Sequence, residues 1–137
     1  MERFLGRFSP ITFALLRLVT GLMMACHGGQ KILGMFGSEH VFPPLSFMGV
    51  GGLIELIGGF LVAFGLFGSV AAFLLSGEMA VAYFMAHAPK GFFPIVNHGE
   101  PAVLYCFIFL YIACHGSGVF SLDHVLFRRS AVDPVVR

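Results

Sequence analysis

Three side chains, Arg17, Glu55 and Glu78, carry charge within stretches that are otherwise apolar. Placing such a residue at the centre of a membrane helix costs about 2.5–3.5 kcal/mol, so each needs a partner or a purpose. Glu55 stands twelve residues before Phe67 and Glu78 eleven after it. At helical rise both lie about 17 Å from a turn near Phe67, which puts them level on antiparallel helices. Two ionised carboxylates at one depth in low dielectric repel, so either one holds a proton or a cation lies between them. Arg17 is the candidate cation, with a side chain long enough to reach along the first helix. Arg17, Glu55 and Glu78 therefore read as a buried polar centre, acting either as an ion-pair lock on helix packing or as a proton-handling or ligand-binding site.

A second polar group closes the first apolar stretch. His27, Gln30 and Lys31 follow one another within about one helical turn, on a broad face shared with Met24 and Arg17. His87, about 28 Å from the Phe67 turn, reaches a similar height on another helix. A lipophilic molecule with polar oxygens needs an apolar cleft holding a few donors and acceptors. His27, Gln30, Lys31, Glu55, His87 and Glu100 are the candidate ligand-binding residues on that reading. The alternative is that His27 and Lys31 simply extend to the headgroup layer. Neither H-E-x-x-H nor C-x-x-C occurs, so no metal or haem site is expected, and the sequence assigns no catalytic residue.

These groups must be positioned by membrane-spanning helices. The chain of 137 residues is 58% hydrophobic and 11% charged, with mean hydropathy +0.91, whereas an ordinary soluble domain carries roughly 25% charged residues. So few charges cannot cover the surface of a small body in water, and the expected solvent is lipid. A net charge of +1 leaves no basic footprint for nucleic acid. Apolar runs of about 20 residues, the length that crosses a bilayer, lie at 11–33, 47–67, 70–88 and 101–119. They are continuous rather than alternating every second residue, which excludes barrel strands. The expected fold is all-α: a transmembrane four-helix bundle as a single domain over 1–127, followed by a short basic tail at 128–137.

Two longer connections, 34–46 and 89–100, fall on one side of this bundle. Arg3, Arg7, Arg128, Arg129 and Arg137 lie toward the other side, against Lys31 and Lys90 near the long connections. Both termini are therefore expected in the cytoplasm and the long connections outside. The outer segments carry His40, His98, Phe36, Phe42, Phe92 and Phe93, composition suited to lids or headgroup-level anchors. Gly21, Ala25 and Gly29 form a small-residue row against which a neighbouring helix can pack closely. Cys106 and Cys114 would stand about 12 Å apart on one helix, beyond bridging reach, and free thiols are expected. A cleavable signal ending near Cys26 is disfavoured, because Arg17 interrupts its apolar run and three further spans follow.

Taken in order, Arg17-x-x-x-Gly21, His27-Gly28-x-Gln30-Lys31, Glu55-Leu56-Ile57-Gly58-Gly59, Gly65-Leu66-Phe67, Gly91-Phe92-Phe93, Gly99-Glu100, Gly116-x-Gly118 and Ser121-Leu122-Asp123 resemble the DoxX family. The resemblance runs from about Arg17 to Asp123. It implies a small multi-pass protein of a bacterial or archaeal plasma membrane, associated with a terminal quinol oxidase and thiosulfate:quinone chemistry. On that basis the chain is expected to be a redox-associated accessory subunit rather than an autonomous enzyme. A quinone and a larger membrane oxidoreductase are its expected ligand and partner beside membrane lipids. A structural subunit without a ligand of its own, or a small-solute transporter formed by an oligomer, are the alternatives.

Overall fold

The computed structural model describes residues 1–127 and is helical, with no β-strand among the described residues. The basic tail at 128–137 lies outside the described residues. A short helix α1 (Glu2–Gly6) precedes α2 (Ser9–Leu33), α3 (Phe47–Phe64) and α4 (Gly68–Ala82). The chain continues from α4 through a π-helical turn at Tyr83–His87 and a 3-10 turn at Ala88–Lys90. Short α5 (Pro94–Asn97), α6 (Glu100–His115) and α7 (Leu122–Phe127) complete it. Helices α1, α5 and α7 were not legible as apolar runs.

Local chemistry sets the long helices' ends. Pro10 occupies the first turn of α2, where its missing N–H costs nothing. Gly34 then stops that helix in the left-handed conformation, at φ 64°. Ser46 caps α3 by accepting a hydrogen bond from the Gly49 N–H at 3.0 Å. At the other end Gly65, φ 67°, turns the chain before Phe67, so the second span ends three residues earlier than its apolar run suggested. Gly116, φ 86°, likewise ends α6 at His115 rather than Val119. Three helices, Ser9–Leu33, Phe47–Phe64 and Gly68–Lys90, are long and apolar enough to cross a membrane. The sixteen residues of α6 extend about 24 Å, short of a hydrocarbon core about 30 Å thick.

Sequential neighbours pack: α2 on α3, α3 on α4, and α4 on α6. The α2–α3 seam is the closest, because backbone meets backbone there. A Cβ at Gly21 would lie 2.6 Å from the Gly59 carbonyl oxygen, and one at Gly59 would lie 2.5 Å from the Ala25 nitrogen. The seam thus uses Gly21, Ala25 and Gly28 on α2; Gly29, expected in that row, instead faces the Met35 sulfur. Helix α6 meets α2 mainly through rings, Phe13 against Tyr111 and His115, and His27 against Tyr105. Met24, Val62, Leu75, Phe109 and Ile112 are fully buried in the interior. Large apolar side chains such as Val19, Phe60, Phe73, Leu74 and Phe107 point outward, as a chain solvated by lipid requires.

Candidate functional site

The charged residues form two centres rather than one. Glu55, from the middle of α3, is buried and accepts a 2.7 Å hydrogen bond on Oε1 from Lys31 Nζ in the last turn of α2. Glu78 enters from α4, close enough to interact electrostatically with both Glu55 and Lys31. Backbone room makes this meeting feasible. A Cβ at Gly51 would come within 2.9 Å of Glu78 Oε1, and one at Gly52 within 2.9 Å of Lys31 Cβ. The Oε2 atoms of Glu55 and Glu78 are both buried without a hydrogen-bond partner among the described residues.

Arg17 is not part of this group, which corrects the expected single centre. It lies fourteen residues before Lys31 on α2, about 21 Å nearer the helix start, too far for its side chain to pair with Glu55. Arg17 instead donates to the Ser117 carbonyl and, at 2.7 Å, to the Phe120 carbonyl in the segment after α6. Its guanidinium lies against Gly65, where any Cβ would meet Nη1 at 2.7 Å.

Asp123, which the sequence marks only within the Ser121-Leu122-Asp123 motif, completes the Arg17 centre. Its carboxylate accepts from the backbone N–H of Phe67 at 2.8 Å and of Gly68 at 3.2 Å, and from the Ser117 hydroxyl at 2.6 Å. Phe67 holds φ 50° at the start of α4 and offers no side-chain cap of its own, so Asp123 supplies one from a distant segment. Burial alone would raise the Asp123 pKa. The hydrogen bonds from Ser117, Phe67 and Gly68 and the nearby Arg17 charge outweigh burial, holding the carboxyl below its ordinary range. A groove of about 330 Å³ lies beside it, lined by Ser69, Ser117, Ser121, Asp123 and His124.

A third polar network holds the connection between α4 and α6. Asn97 is buried, donates to the Gly91 carbonyl at 2.6 Å and to the Tyr83 hydroxyl at 3.3 Å, and accepts from the Gly99 N–H at 2.8 Å. Tyr83 in turn donates to the Phe92 carbonyl, and His87 Nδ1 pairs with the Asn97 carbonyl at 3.1 Å. The sequence signal was present, a lone Asn between Pro94 and Gly99, but nothing in the chain itself pointed to its partners.

Of the six candidate ligand-binding residues, the structure thus brings Lys31 and Glu55 together and adds Glu78. His27 is exposed on α2 with its ring centroid 6.4 Å from that of Tyr105 on α6, and Gln30 is half-buried. His87 is committed to the Asn97 carbonyl, and Glu100 is exposed in the first turn of α6. No cluster of three or more His, Cys, Asp or Glu suited to a metal occurs among the described residues. Cys26, Cys106 and Cys114 are free thiols.

Residues 12–88, more than half of the chain, match the family model DoxX. The chain belongs to the DoxX family. It is therefore a membrane protein in contact with lipid. The matched stretch contains Arg17, His27, Gln30, Lys31, Glu55, Glu78 and His87, whereas Glu100 and Asp123 lie beyond it. An uncharacterized protein of Haemophilus influenzae is 42% identical over 133 residues, covering 91% of this chain and 98% of that protein. The Bacillus subtilis protein named "Putative oxidoreductase CatD" is 34% identical over 118 residues, covering 83% of this chain and 86% of its own. No solved structure matches the chain significantly.

Proposed function

We propose that this protein is a redox-associated subunit of a bacterial plasma membrane that receives a quinone, or a similar lipophilic molecule with polar oxygens, at the outer half of a four-helix bundle. In this reading α2, α3 and α4 with its π-helical extension cross the bilayer, and the shorter α6 crosses it where the bilayer thins around it. Both termini lie in the cytoplasm, and a larger membrane oxidoreductase is the working partner.

The observation that carries the reading is the Lys31, Glu55 and Glu78 group within lipid-facing helices, with Glu55 buried and the other two half-buried. Burying such charges is costly, and glycines on α2 and α3 leave the space in which they meet. A helix lock alone would be satisfied by one ion pair, whereas this group keeps two carboxylate oxygens without partners. The surrounding residues fit an oxygen-bearing apolar ligand. Lys31 remains partly exposed, and the His27 and Tyr105 rings, 6.4 Å apart between α2 and α6, are further hydrogen-bonding groups on the same helices. The word oxidoreductase in the Bacillus relative's name supports a redox setting.

Binding of a quinone analogue to the purified protein in detergent tests the proposal. His27→Ala and Lys31→Met are each expected to weaken binding more than tenfold, about 1.4 kcal/mol, with the helical circular-dichroism signal intact. Unchanged affinity in both variants, or no binding by the unaltered protein, would refute it.

A further inference from the structure

We propose that Glu55 and Glu78 hold one exchangeable proton between them, with Lys31 as the fixed counter-ion and the route by which the pair communicates with the outer face. The inference rests on the reading above only for the use made of that proton. The Glu55 side chain is 4% exposed, and one of its oxygens is taken by Lys31. Its other oxygen and Glu78 Oε2 are buried with no donor among the described residues. An ionised carboxylate oxygen has to find donors when it leaves water, whereas a carboxylic acid supplies a donor itself.

Charge counting leads to the same place. Two carboxylates meet a single ammonium, which leaves one uncompensated negative charge in apolar surroundings. Among the described residues, Lys31 is the only cation within salt-bridge distance of either carboxylate. On α2, Arg17 is committed to the inner end, Cys26 is exposed and His27 faces Tyr105. On α6, Tyr105 stacks on Phe109, and Cys106 lies against Ser76. Beyond α4, His87 is bound to the Asn97 carbonyl and Lys90 is exposed. An alkali cation would need a shell of oxygens, whereas Ile54 and Met79, the chain neighbours of the two carboxylates, are apolar core residues. A proton restores neutrality without such a shell. Lys31, 28% exposed at the outer end of α2, joins the pair to the surface.

Infrared spectra of the full-length protein in lipid nanodiscs at neutral pH, in H₂O and D₂O, test this through the carbonyl stretch of a protonated carboxyl. Variant difference spectra cancel the remaining carboxyl groups. The unaltered protein should show one such group, shifted by deuterium. Glu55→Gln and Glu78→Gln should each abolish it, since one carboxylate then balances one lysine. Lys31→Met should double it, and the combined Lys31→Met, Glu78→Gln variant should return it to one. That combined variant keeps the count readable if a single substitution fails to fold.

Absence of the band from the unaltered protein, or its persistence in both glutamine variants, would overturn the proposal. So would loss of the band on adding sodium chloride but not choline chloride, which would assign the site to a metal cation. Quinone-analogue binding can fail while this pattern holds, which separates the proton pair from the ligand reading.

Discussion

Replacing Asp123 by alanine removes the side-chain link between the segment after α6 and the α3–α4 turn, while the bond from the backbone N–H of residue 123 to the Gly65 carbonyl remains. The side chain accepts three hydrogen bonds, from Phe67 N–H, Gly68 N–H and Ser117 Oγ, and stands near Arg17. A helix cap contributes about 0.5–2 kcal/mol, and a hydrogen bond to a charged group about 1.5–3 kcal/mol. The three bonds share one half-exposed carboxylate and do not add, so the expected loss is about 2–3 kcal/mol. Asp123→Asn, whose amide oxygen still accepts one backbone N–H, should lose about half as much. The carboxyl is held below its ordinary range in the folded protein. Its stabilisation is therefore complete above the unfolded value near 3.9 and fades as pH falls through the lower folded value. Unfolding by sodium dodecyl sulfate in mixed micelles, from pH 7 to pH 3, measures both effects. A deficit under about 0.5 kcal/mol for Asp123→Ala at pH 7, or a wild-type advantage that grows on acidification below the unfolded value, would refute the reasoning.

Gly59→Ala should destabilise by about 2 kcal/mol or more, because its Cβ would stand 2.5 Å from the Ala25 nitrogen and force two backbones apart. Gly77→Ala, where nothing lies within 4 Å, should be neutral or stabilising by up to about 1 kcal/mol, and the same micelle unfolding assay compares them. Asn97→Ala removes partners from the Gly91 carbonyl and the Gly99 N–H, and amide hydrogen exchange across 88–99 should rise while that of α3 is unchanged. For topology, Ser38→Cys should react with an impermeant thiol reagent on intact cells and Ser130→Cys should not; the opposite pattern reverses the orientation.

Much of the helical framework could be read from the chain because lipid imposes a one-dimensional rule. Every residue of a span must be apolar or compensated, so the runs at 11–33, 47–67 and 70–88 show themselves by composition. The glycines that stop α2 and α3, and the proline that opens α2, are likewise local signals, readable because they act on their own backbone. The charged residues were legible as anomalies for the same reason, and depth counting placed Glu55 and Glu78 at one level.

Which charge meets which was decided only by the packed helices. Arg17 and Lys31 both lie on α2, about 21 Å apart, and depth counting pointed to Arg17 as the partner of Glu55 where the packed helices supply Lys31. The close α2–α3 seam at Gly21, Gly28 and Gly59 sets the register that delivers Lys31 to Glu55 and leaves Arg17 beside Ser117 and Phe120. The partners of Asp123 and Asn97 were not legible because most of them are backbone groups, which every residue possesses and no sequence pattern marks. Composition and local chemistry determined that helices form and that some charges must be buried; long-range backbone contact determined their pairing.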